Sequence, residues 1–326
     1  MLSIAVIGAG RIGRIHAGNI AAHPGARLAG IADPDAAAAG ALAAACGTAA
    51  IGLDDAFAAD AVLIASPTPT HADYIERAAA ARRAVFCEKP VDLSAARVRA
   101  CLGAVERAGI ALMVGFNRRF DPHFSALKRR LEAGEIGRLE LLTIISRDPS
   151  PPPPAYVAAS GGLFRDMMIH DLDMARFLLG EEPVELFAAG SCQVDPGIGA
   201  AGDVDTATVT LKTASGRLCV ITNSRRATYG YDQRIEAHGA NGLLRAGNVT
   251  ATTVEFADSR GFSTDPALPF FLERYAAAYR AELDAFVAAV ASGGMPAPGG
   301  ADGLAALLLA DAASESARGG MAVRLG

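Results

Sequence analysis

Short apolar runs at positions 2–7, 27–32, 61–65, 84–87 and 111–115 alternate with longer amphipathic stretches at 11–23, 35–46, 70–81 and 94–108. The runs are apolar at successive rather than alternate positions, as strands covered on both faces must be. Each stretch between them is long enough for three turns of helix, and Thr70 and the Asp92-Leu93-Ser94 segment offer cap chemistry at two of the helix starts. Strand, helix, strand, helix requires right-handed crossovers and predicts a doubly wound parallel sheet.

The rhythm changes near residue 120. A helix over 122–133 and a strand over 138–147 lead into Asp148-Pro149-Ser150-Pro151-Pro152-Pro153-Pro154, which can be neither helix nor central strand. A helix over 164–179 follows, then alternating segments at 184–194, 205–213, 217–224, 233–239 and 249–256, and two closing helices over 273–291 and 302–317. Successive strands joined by short turns predict a second α/β domain with a mainly antiparallel, open sheet. The expected division is 1–120 and 121–326.

Composition narrows the class. With 326 residues, 51% hydrophobic, the chain is too apolar for disorder and long enough for two domains. It has no apolar run of membrane-spanning length, and Met1-Leu2-Ser3-Ile4 enters structure without a basic, hydrophobic leader. Five cysteines without a CxxC pair suit a reducing cytoplasm, and a net charge of −5 without a basic run speaks against nucleic acid as partner. Only three of the 30 basic residues are lysines (Lys89, Lys128 and Lys212), so each has better odds of being required as lysine.

Gly8-Ala9-Gly10-Arg11-Ile12-Gly13 follows the first strand and opens the first helix. Its glycines permit a tight turn and close approach to a diphosphate, which the free N–H groups of the helix start then hold. Asp33 ends the second strand, placed to accept from the adenosine ribose hydroxyls. Its charge would repel a 2′-phosphate, and Pro34-Asp35-Ala36 offers no arginine to neutralise one, so NAD is expected rather than NADP. At the same end of the sheet lie Ser66, Thr68 and His71 after the third run and Glu88-Lys89-Pro90 after the fourth, all candidate cofactor contacts.

Asp166, His170 and Asp173 are spaced to share one face of the 164–179 helix. A histidine oriented by a carboxylate is a base that works near neutrality; a solvated acidic stripe is the alternative. No second histidine or cysteine stands at ligand spacing, so no metal is expected.

The segments GAGRIG (8–13), CEKPVDLS (87–94), GFNRRFDP (115–122) and GGLFRDMMIHDLDMARFLLG (161–180) together resemble the glucose–fructose oxidoreductase / inositol dehydrogenase family along essentially the whole chain, most like its inositol 2-dehydrogenase branch. The resemblance implies a Rossmann domain and NAD-dependent oxidation of a cyclic polyol, with myo-inositol first among candidates. It implies a catalytic trio of Lys89, Asp166 and His170, with Asn117, Arg118, Asp173, Tyr231 and Tyr279 lining the polyol pocket. It also implies a homo-oligomer, dimer or tetramer, formed through the open face of the second sheet. The 149–154 loop lacks the histidine that some inositol dehydrogenases carry there, leaving other inositol isomers and aldoses open. NAD-using glycosidases and non-catalytic regulators share the fold; the intact trio argues against the latter.

Overall fold

A computed structural model describes residues 1–326, the side chains of Pro154 and Ala158 excepted. The five apolar runs form β1 (Leu2–Ile7), β2 (Ala26–Ala32), β3 (Ala61–Ile64), β4 (Ala84–Glu88) and β5 (Leu112–Gly115). They pair in parallel in the order β2-β1-β3-β4-β5, linked by helices Arg11–Ala22, Ala36–Ala45, His71–Ala80 and Ala95–Ala108. The order reverses between β1 and β3, which opens a crevice beyond the carboxyl ends of those strands. Ser94 caps its helix by accepting the N–H of Arg97. Thr70 does not act as a cap: its backbone is already helical, and its hydroxyl donates to the Pro67 carbonyl at the end of a 3₁₀ turn, Thr68–Thr70.

Residues 1–120 form one compact unit together with Ala278–Leu307. Leu283, Phe286 and Val287 from helix Ala276–Ser292 enter the same apolar cluster as Ile4, Val6, Ile20, Ile31 and Phe86. A stretch expected within 121–326 therefore finds its packing partners in the first unit.

The second unit holds Asp121–Ala277 and Leu308–Gly326. Its strands are β6 (Leu139–Arg147), β7 (Pro183–Ser191), β8 (Thr206–Thr213), β9 (Leu218–Ser224), β10 (Asp232–Gly239) and β11 (Gly242–Ala246), with a separate hairpin of β12 (Glu255–Asp258) and β13 (Gly261–Thr264), and a short β14 (Val323–Arg324). The main sheet runs β11-β10-β6-β9-β8-β7-β14, with β6 and β9 parallel and the other neighbours antiparallel. Helix Ile169–Leu179 packs on β6 and β9.

Three expected elements differ. The strand over 249–256 is reduced to β12, because Thr250 and Thr252 spend their hydroxyls on the Thr252 carbonyl and the Asp265 carboxylate. The strand that pairs with β10 at this edge is β11, reached by the Ala240-Asn241 turn. The helix over 164–179 is two helices, Gly162–Asp166 and Ile169–Leu179. The Leu163 carbonyl accepts from both Met167 and Met168, closing the first helix before the second begins. The first of the two closing helices likewise breaks, into Phe271–Arg274 and Ala276–Ser292, while the second runs unbroken over Gly300–Gly319.

Candidate active site

The glycine turn is built for a diphosphate. Gly8 has φ +112°, and a Cβ there would stand 2.5 Å from the Ala65 oxygen. A Cβ on Gly13 would stand 1.9 Å from the Gly8 oxygen, so only glycine lets the helix sit this close to the turn. Gly10, the N-cap residue, has nothing within 4 Å of the position a Cβ would take, and no side chain caps the helix. Exposed Arg11 and half-buried Ile12 begin the first turn. Open space over uncapped N–H groups fits the phosphates of a dinucleotide. Asp33 joins the same turn: Oδ2 accepts the Ala9 N–H at 2.7 Å and Oδ1 that of Asp35 at 2.8 Å.

Ser66 and Thr70 share a hydrogen bond of 2.7 Å, with Thr68 between them half-buried. His71 is buried: Nδ1 lies 2.8 Å from the Pro90 carbonyl and Nε2 2.7 Å from that of Ser66. Burial pushes its imidazole below the usual value, against the pull of the two carbonyls. These two contacts strap the loop after β3 to the turn that carries Lys89.

Glu88 meets a histidine that no sequence motif marks. His16 Nε2 lies 2.7 Å from Glu88 Oε1, and both lie within 4.8 Å of the fully buried Glu282. Burial, with the Glu88 charge added, raises the Glu282 carboxyl well above the usual range. Tyr279 closes the cluster, its ring edge-on to His16 at 5.6 Å. These residues are far apart in sequence and share no spacing, so nothing in the chain announced them. Asn117 and Arg118, both buried, follow β5 in a 3₁₀ turn, Asn117–Phe120.

In the second unit Asp166 closes its helix and His170 stands in the first turn of the next. The three-residue face expected from one continuous helix is thus divided, and only His170 and Asp173 share a helix. Tyr156 donates to Asp166 Oδ1 at 3.1 Å, and the Arg225 guanidinium lies 3.6 Å from Oδ2. Asp173 is buried, 3.9 Å from Arg176. Tyr231 is buried edge-on against Phe270 and Tyr275, and Tyr275 donates to Gln233. Beside them a buried pair joins Asp121, which also caps helix Pro122–Glu132, to Arg274. A lone Asp before proline and an arginine in a charged helix start carried no sequence signal of that pairing.

Comparison with known proteins agrees with this geometry. Residues 2–116 match the oxidoreductase family with an NAD-binding Rossmann fold, and residues 124–245 the GFO/IDH/MocA C-terminal domain. The chain is 54% identical over 314 residues to an inositol 2-dehydrogenase of Rhizobium meliloti, covering 95% of each protein. A solved myo-inositol dehydrogenase from Corynebacterium glutamicum superposes with a TM-score of 0.96 at 47% identity, over 100% of this chain and 99% of that one. A scyllo-inositol dehydrogenase from Lactobacillus casei, solved with NAD(H) and scyllo-inositol, superposes at 0.92 with 29% identity over 99% of both chains. With the glycine cradle, Asp33 and both domain matches in place, the chain belongs to the GFO/IDH/MocA family of NAD-binding oxidoreductases.

Proposed function

We propose that this enzyme oxidises a ring hydroxyl of myo-inositol to the ketone of an inosose. The observation that carries the reading is identity of 54%, spread over 95% of both chains, with an inositol 2-dehydrogenase. NAD, when bound over the glycine turn, supplies the hydride acceptor. His170 takes the hydroxyl proton as general base. Asp166 holds the ring and stabilises the imidazolium that forms. Lys89 donates from Nζ to the same oxygen, stabilising the alkoxide character that develops there. An arginine in its place has too broad a fork and too high a pKa to relay a proton. Asn117, Arg118, Asp173, Tyr231 and Tyr279 are assigned to the remaining hydroxyls, and Asp33 to the adenosine ribose.

The second unit is assigned to substrate binding and to assembly as a dimer or tetramer. The free face of its sheet carries exposed Leu141, Phe187, Leu218 and Leu243. Among the described residues no helix is long and apolar enough to cross a membrane. We place the enzyme in the cytoplasm, where its five free cysteines remain reduced. The test is a panel of inositol isomers and aldoses assayed for NADH and NADPH formation. The expected result is highest kcat/KM with myo-inositol and NAD. Preference for an aldose, or for NADP, overturns the substrate or the cofactor assignment respectively.

A further inference from the structure

Arg225 follows β9 and is 2% exposed. Its Nη2 lies 3.6 Å from Asp166 Oδ2, while Nε and Nη2 have no hydrogen-bond partner among the described residues. A guanidinium keeps its charge in any such setting, and a buried one is costly unless an anion answers it. Two carboxylates compete to do so. Asp203 accepts the Leu163 N–H at 2.9 Å, at the start of the helix that Asp166 ends. Burial raises the Asp203 carboxyl; the Val204 and Leu163 N–H groups and Arg225 oppose that rise, and the Asp166 charge adds to it. The backbone behind Arg225 is held, because its N–H donates to the Asp205 carbonyl at 2.8 Å. The Asp205 carboxylate in turn gathers the N–H groups of Gln193, Val194 and Asp195.

The charged residues next to Asp166, Arg225 and His170 in sequence are committed elsewhere. Arg165 turns to Asp311, Arg226 reaches the Gln193 carbonyl, and Asp171 accepts from Asn223. Tyr156 supplies a neutral donor to the other oxygen of Asp166.

We infer that Arg225 is a positioning residue for the dehydrogenase reaction, its buried guanidinium balancing Asp166 against Asp203 so that the Asp166 carboxylate is aimed at His170. This rests on the roles assigned above to Asp166 and His170. The effect is electrostatic, since a separation of 3.6 Å lies beyond hydrogen-bond distance.

The test is the pH profile of kcat/KM for myo-inositol oxidation, recorded beside NAD affinity and thermal stability. Arg225→Gln leaves two carboxylates unbalanced, so the acidic limb moves upward by about 1–2 pH units. Its kcat falls roughly 100-fold, as for a misplaced catalytic group, with NAD affinity unchanged. Arg225→Lys keeps the charge and returns the limb toward the parent position. Asp203→Asn alone moves the limb downward, and in the Arg225→Gln background it restores it. The single Asp203 variant keeps the test decisive if Arg225→Gln does not fold. A lowered melting temperature with an unshifted limb in every variant overturns the inference. Asp166→Asn separates the two levels: if it retains normal turnover, the assignment of Asp166 itself fails. If it is crippled while Arg225→Gln behaves as the parent, only the role of Arg225 is lost.

Discussion

Lys89 is the side chain on which the proposed chemistry depends most directly. Removing one charge-assisted contact to a developing alkoxide lowers the rate on the order of 10²–10³-fold. Lys89→Ala is therefore expected to lose kcat to that extent, while NAD affinity, measured by fluorescence titration, stays near normal. Near-parental turnover reduces Lys89 to a loop residue. Glu282 offers a test independent of activity. Its carboxyl is raised in the folded state by burial and by Glu88, so the stability it contributes is complete below the carboxyl's unfolded pKa and is lost as pH rises toward the folded one. Glu282→Gln keeps the shape without the titration. Its melting temperature is expected to hold steady from pH 5 upward while that of the parent declines; parallel curves refute the neutral carboxyl. The glycines and Asp33 were legible at this scale because their spacing is itself the signal. His16, Glu282 and Arg225 were not, since their partners are set by tertiary packing.

At the level of elements, the glycine turn has almost no tolerance. A Cβ on Gly13 would meet the Gly8 oxygen at 1.9 Å, so Gly13→Ala must push helix Arg11–Ala22 away from the Gly8 turn. The expected result is a loss of NAD binding by calorimetry together with a lower melting temperature. Retained affinity would show that the helix can shift without cost. The elements of the first unit were readable because strands covered on both faces are short and apolar at nearly every position, and here they alternate with amphipathic stretches of helix length. The break at Met167-Met168 was not. Nothing there resembles a helix stop, and the interruption arises from two N–H groups sharing the Leu163 carbonyl. That break separates Asp166 from the helix carrying His170, which is why Asp166 can be reached by Tyr156 and Arg225 from other parts of the second unit.

For the molecule as a whole, the open face of the larger sheet bears on assembly. Leu141 and Leu218 face each other across β6 and β9, and His238, beside Leu141, is flanked by Leu243 on β11. An exposed apolar row of this kind is what a second copy would cover. Sedimentation is expected to show a dimer or tetramer, and Leu141→Asp with Leu218→Asp to dissociate it. A monomeric parent at micromolar concentration refutes the assembly.

What the sequence determined by itself was whatever short range controls: the alternation of buried strands and helices, the glycine turn with Asp33, and the family motifs that carry Lys89, Asp166 and His170. Those features depend on spacing along the chain, and a spacing survives without coordinates. Tertiary structure decided what depends on distant segments meeting. It gave Ala278–Leu307 to the first unit, because Leu283, Phe286 and Val287 bury against β-strands more than 150 residues earlier. It turned His71 inward between two backbone carbonyls, and it set Arg225 against Asp166 and Asp203. Burial decides the charge and freedom of those groups, and burial is a property of the folded chain.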